Sequence, residues 1–88
     1  MIVGKVVGSV IATRKNEYLV GNKFMIVEPL EGMKSENKRM VAIDNVGAGI
    51  GEIVLVALGS AARIGCGLEK APVDAAIVGI VDDGIGLE

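Results

Sequence analysis

With nine Lys and Arg against eleven Asp and Glu, the 88-residue chain carries a formal charge of −2, and it lacks the basic excess that a nucleic-acid partner demands. Histidine is absent and cysteine occurs once, which excludes a Ser-His-Asp triad, a Cys-His pair, an imidazole metal ligand, an intrachain disulfide and a multi-thiolate metal site. Yet 51% of the residues are hydrophobic and mean hydropathy is +0.56, more apolar surface than one small domain spanning residues 1–88 can bury alone, so the composition predicts an oligomer.

The first predicted element is a long strand, Met1–Thr13. One face alternates Ile2, Gly4, Val6, Gly8, Val10 and Ala12; the other carries Val3, Lys5, Val7, Ser9, Ile11 and Thr13. Apolar side chains on both faces predict burial on both sides, so Val3, Val7 and Ile11 become candidate interface residues. Gly4 and Gly8 predict a bulge, a sharp coil or a close backbone approach, the devices that let a short sheet curl. Arg14–Asn22 is polar and ends in a Gly21-Asn22 turn. A second strand, Lys23–Glu28, stops at Pro29, which cannot donate to a ladder. Leu30–Asn37 reads as a solvated hairpin connection, and Lys38–Asn45 as a third strand.

Val46-Gly47-Ala48-Gly49-Ile50-Gly51-Glu52 then runs directly into an apolar segment. A glycine-rich loop can cradle a phosphate only where it opens a helix. Here a β-branched run follows, and the glycines recur every second residue without the Gly-x-Gly-x-x-Gly spacing of a dinucleotide site. Gly47, Gly49 and Gly51 are therefore read as a structural turn whose positions suit glycine for conformational reasons. Glu52–Leu58 is the fourth strand, and Ile64–Lys70 a flexible loop around Gly65-Cys66-Gly67. Ala71-Pro72-Val73-Asp74-Ala75-Ala76 has the proline, acidic residue and alanines of one helical turn. Ile77–Asp82 is the fifth strand, and the last six residues are read as loose or borrowed by a neighbour. Short strands punctuated by turn signals predict an all-β fold: a small five-stranded barrel with one short helical turn before its last strand.

Candidate chemistry is sparse. Asp44, Glu52, Asp74, Asp82 and Asp83 are carboxylates suited to turns and caps, and the adjacent Asp82 and Asp83 would point to opposite faces of a strand. Ser60 lacks the frame of a nucleophile elbow and reads as a turn cap. Arg63 ends a mostly apolar segment, either as a snorkelling surface residue or as an Arg fork gripping a carboxylate across an interface. Cys66, between glycines, is expected to be exposed; it is incidental, or in a ring it becomes a loop or pore thiol. No catalytic, metal-binding or cofactor-binding residue is assigned. The longest apolar stretches fall well short of the roughly 18 residues of a membrane span, and no secretory signal pattern is apparent, so no membrane partner and a cytoplasmic location are expected.

Taken together, Gly4-x-Val6-x-Gly8-x-Val10, Ala12-Thr13, Lys15, Val41-Ala42-Ile43-Asp44, the glycine turn, Gly59-Ser60-Ala61-Ala62-Arg63 and Pro72–Asp82 resemble the EutN/CcmL family, the vertex proteins of bacterial microcompartment shells. The resemblance covers nearly the whole chain. It implies an oligonucleotide-binding-like (OB-like) barrel, a pentamer with a central pore, and a non-enzymatic role at the five-fold corners of a shell whose other tiles are hexameric shell proteins. Ile64–Lys70 matches no family pattern. The same fold could serve a nucleic-acid- or ligand-binding module, but such barrels stack bases on aromatics in a basic groove, and this chain has only Tyr18 and Phe24.

Overall fold

The computed structural model describes residues 1–12, 16–30, 39–67 and 73–82. Runs of Val, Ile and Ala form five strands: β1 (Ile2–Val10), β2 (Lys23–Pro29), β3 (Met40–Asp44), β4 (Ile53–Leu58) and β5 (Ala75–Ile80). A single turn of 3-10 helix, Glu17–Leu19, precedes β2, with the Asn16 side chain accepting from the Tyr18 N–H. One helix, α1 (Ser60–Gly65), lies between β4 and β5. The strands close in the order β1-β2-β3-β5-β4. All pairings are antiparallel except β3 with β5, which run parallel through Ile43–Ala76 and Asp44–Ile77. The expected five-stranded all-β barrel with one short helix before its last strand is the observed fold.

Closure is achieved at bulges. Between the pairs Val6–Val27 and Gly8–Ile26, β1 advances two residues while β2 advances one, so Val7 is the extra residue. A second irregularity lies where Leu55 pairs with Gly79 and Val56 with Ile77, leaving Val78 extra on β5. Gly4 answers a different need. A Cβ there would come within 2.5 Å of Val27 Cγ1 and 2.9 Å of the Glu28 carbonyl oxygen, so β1 and β2 approach too closely for any side chain.

Two apolar clusters result. Val6, Val27, Val54, Val56 and Ile77 fill the barrel interior with Met25, Ala42, Ala48 and Ala75. On the outside, Ile43, Ala57 and Ala76 pack with Ala62 and Cys66 and with Val73. The alternation of strand side chains explains both: Ala42 and Ile43, Val56 and Ala57, and Ala76 and Ile77 are neighbours that point to opposite faces, and both faces are covered. Burying each Val or Ile contributes on the order of 1.5–3 kcal/mol.

Several boundaries differ from the sequence reading. β1 ends at Val10, and β3 and β5 are shorter or earlier than expected. Ala75 and Ala76, expected to close a helical turn, instead open β5, where they hydrogen-bond between β4 and β3. The helix before the last strand is Ser60–Gly65, which also takes Ile64 and Gly65 out of the expected loop. Thr13, Lys15, residues 31–38, 68–72 and 83–88, and with them the 30–37 connection beyond Leu30, Asp83 and the expected loose terminus, lie outside the described residues.

Candidate functional site

Asp44 organises the glycine turn. It ends β3 at 2% exposure, and its carboxylate accepts three backbone N–H groups: Val46 at 2.9 Å and Gly47 at 3.2 Å on Oδ1, and Ala48 at 2.9 Å on Oδ2. These are charge-assisted bonds, stronger than neutral ones, and they hold Val46–Ala48 at the start of the turn. Gly47 and Gly51 have φ of +88° and +94°, the left-handed region where a side chain is strained. Gly49 does not share that conformation. Its N–H donates to Glu52 Oε1 at 2.6 Å, while the Glu52 N–H returns to the Gly49 carbonyl at 3.1 Å. The expectation that all three glycines serve by positive φ therefore holds at two positions and not at Gly49. The turn is also sewn to β1, since Gly51 N–H donates to the Val6 carbonyl and Val6 N–H to the Glu52 carbonyl.

The turn walls an open apolar groove of about 460 Å³. Val10, Ile11, Phe24, Met25, Ala48 and Ile50 line it, with Ser9, Asn22 and Lys23 as its polar members. Ile11 projects almost unburied into solvent, and Ile50 is two-thirds exposed. Of the other candidate interface residues, Val3 and Val7 are half-buried on β1.

Helix α1 packs on the outer face of β4 and β5 through Ala62. Gly59 is its N-cap and no side chain caps it, so Ser60 begins the helix rather than capping a turn as expected. Gly59 N–H instead donates to the Asp74 carbonyl at 2.8 Å. Arg63, half-buried in the last turn where a cation suits the helix dipole, directs Nη1 to the Val73 carbonyl at 3.5 Å. Leu58, Ala61 and Ile64 face outward.

Cys66 was expected to be exposed because glycines flank it. It is buried, in contact distance of the Arg63 carbonyl (Sγ to O, 3.7 Å) and packed in the outer apolar cluster. Glycine neighbours remove local cover, but the end of α1 folds this residue back against the barrel wall. Asn45 was not singled out from sequence, yet its Nδ2 donates to the Cys66 carbonyl at 3.1 Å and ties the glycine turn to the end of the helix. An Asn beside a glycine turn was the available signal.

Among the described residues no three of Cys, Asp and Glu gather in a metal-binding arrangement, and no buried side-chain nitrogen or oxygen lacks a partner. Asp44 is committed to its turn and Glu52 to Gly49, while Asp74 and Asp82 are exposed. No helix among the described residues is long and apolar enough to cross a membrane.

The family described as ethanolamine utilisation protein EutN/carboxysome matches residues 1–82 of the chain. The bacterial microcompartment shell vertex protein GrpN of Rhodospirillum rubrum is 48% identical over 83 residues, covering 93% of each chain. The carboxysome shell vertex protein CcmL of Gloeobacter violaceus is 43% identical over 83 residues, 93% of this chain and 83% of its own. A solved structure described as the GrpN pentameric microcompartment shell protein superposes with a TM-score of 0.83 at 45% identity, over 97% of this chain and 98% of that one. The matched residues span every strand from β1 to β5, and the chain belongs to the EutN/CcmL family of microcompartment shell vertex proteins.

Proposed function

We propose that five copies of this chain close into a ring that occupies the five-fold vertices of a polyhedral bacterial microcompartment shell. The similarity to the pentameric GrpN shell protein, over nearly the full length of both chains, carries this reading. A layer tiled by hexagonal units alone stays flat or rolls into a tube. It closes into a polyhedron only where five-fold units introduce curvature, so the protein acts by its symmetry rather than by chemistry. Hexameric shell proteins are its neighbours in this reading, and it performs no catalysis, in keeping with Asp44 and Glu52 being spent on the glycine turn.

A cyclic pentamer is built from one heterologous contact repeated until it closes. Apolar burial along that seam supplies its free energy at roughly 25 cal/mol per Å², less the cost of association. Arg63, Val3, Val7 and Ile11 are placed at inter-subunit or shell contacts. Ile11, 93% exposed in a single chain, is the member with most to gain.

Native mass spectrometry of the purified protein tests the reading. One dominant pentamer is expected, and a stable monomer at micromolar concentration overturns it. Co-expression with hexameric shell proteins, followed by electron microscopy, tests the vertex role. Closed polyhedra are expected with this chain present, and open sheets or tubes without it.

A further inference from the structure

The strand directions bring the end of β5 to the same end of the barrel as the apolar groove. β1 and β3 finish there, β2 and β4 begin there, and β5, antiparallel to β4 and parallel to β3, finishes there too. The groove lies between the end of β1, the start of β2 and the Ala48–Ile50 wall of the glycine turn. Ile50 is 67% exposed on that wall, and Phe24 is half-buried. The Val81 N–H donates to the Ile53 carbonyl at 2.8 Å, so residues 83–88 set out beside the segment that leads from the turn into β4.

We propose that residues 83–88 dock in the groove of their own chain, with Ile85 and Leu87 laid against Ile50 and Phe24. The segment reads Asp83-Gly84-Ile85-Gly86-Leu87-Glu88, and the two-residue spacing puts both aliphatic side chains on one side of an extended chain. Its reach suffices. Ile50 is three residues from Ile53 and so at most about 11 Å away, while extended chain carries Ile85 about 10 Å and Leu87 about 17 Å beyond Asp82. Charge agrees. Lys23 is the one charged residue among the described residues that line the groove, and the segment brings Asp83 and Glu88 and no base. A small-molecule occupant would call for convergent polar groups, and the walls are mainly Val, Ile, Phe, Met and Ala. The glycine turn gains a purpose from this arrangement: Asp44 and the Val6 ties hold Ile50 in place, so the wall needs no ordering when the segment arrives. The contact lies within one chain and does not rest on the pentameric reading. It leaves Ile11, across the groove from Ile50, to contacts between chains.

Thiol chemistry tests the contact. In a Cys66→Ala background, Ile50→Cys leaves one thiol on the groove wall, where the docked segment shields it from a monofunctional maleimide. Adding Ile85→Asn and Leu87→Asn should raise its labelling rate about tenfold, and an unchanged rate overturns the proposal. Ile50 is exposed and residues 83–88 follow the last strand, so the barrel should survive these changes. A second variant, Ile50→Cys with Leu87→Cys, shows whose segment fills the groove. A short bifunctional maleimide should bridge the two thiols of one chain, read as a single-chain band on a denaturing gel whose intact mass carries one reagent and no free thiol. Adding Ile85→Asn should slow that bridging about tenfold; bridging just as fast would show reach without docking and overturn the proposal. Bands of two or more linked chains would put the segment on another copy and overturn the contact within one chain.

Discussion

The glycine turn between β3 and β4 and the helix α1 between β4 and β5 are both held against the barrel, but by different forces. The turn is held by polar bonds. A buried carboxylate collects three N–H groups, Glu52 and Gly49 bond reciprocally, and two backbone bonds reach β1. The helix is six residues long, has no side-chain cap, and is held mainly by the burial of Ala62 and the neighbouring Cys66. A segment with alternating glycines has little apolar surface to bury, so it needs a charged hub; a helix that presents Ala62 to the barrel wall can lean on the core. The comparison teaches that loop rigidity here follows from what each sequence can offer the barrel, and not from secondary structure.

The sharpest way to break this comparison is Asp44→Ala. It strands three N–H groups, one of them on buried Ala48, and a loss of about 3 kcal/mol or more is expected. The denaturation midpoint should be compared at fixed protein concentration, because association contributes to apparent stability. A loss below about 1 kcal/mol would show that the turn does not depend on its hub. On the helix side, Ala62→Leu adds volume to a site with no exposure, and overpacking should cost about 1–3 kcal/mol. Near-wild-type stability for that variant would mean α1 is free to lift from the barrel.

Smaller effects separate the glycines. Gly51→Ala should cost about 1 kcal/mol by forcing a side chain into positive φ, and more than Gly49→Ala. At Gly49 a Cβ would only approach Glu52 Oε1 at 3.4 Å. Equal losses at the two positions would refute the conformational account of the turn. Arg63→Ala should change the stability of the folded chain by no more than about 0.5 kcal/mol, since its one bond to Val73 is long, while weakening the pentamer in a dilution series. An unchanged dissociation profile would remove Arg63 from the seam. Cys66 should label slowly in the native protein and fast after denaturation; rapid native labelling would show that the end of α1 opens easily.

Most of the barrel was legible because β-branched runs bounded by Gly and Pro have few other uses. The Gly4 and Gly8 pattern announced curling, and Asp44 before a glycine turn announced a carboxylate-bound loop. The helix was misplaced for a definite reason. Pro72, Asp74, Ala75 and Ala76 form a good local helix signal, but Ala75 and Ala76 sit between β3 and β4, where sheet bonds and burial on both faces outweigh a propensity difference of under about 1 kcal/mol per residue. Ser60–Gly65 has good helix formers too, yet it follows an apolar strand so closely that only the chain's turn at Gly59 separates them. The exposure of Cys66 was misjudged because its burial depends on Ile43, Ala57 and Ala76, residues distant in sequence.

What the sequence by itself determined is whatever depends on neighbours along the chain: where strands run, which glycines can turn, which chemistries lack the residues to occur, and an apolar excess too large for one small core. Tertiary structure alone decided which faces remain uncovered. Strand alternation assigns Ala42 and Ile43 to opposite sides, but only barrel closure and the docking of α1 determine that both sides are buried there, while Ile11, Ile50 and Ile64 are left facing water. The reason is that burial is a relation between segments far apart in sequence. A valine or isoleucine is drawn out of water with much the same force wherever it stands, and the fold dictates which of them find a partner within the chain and which must find one on another.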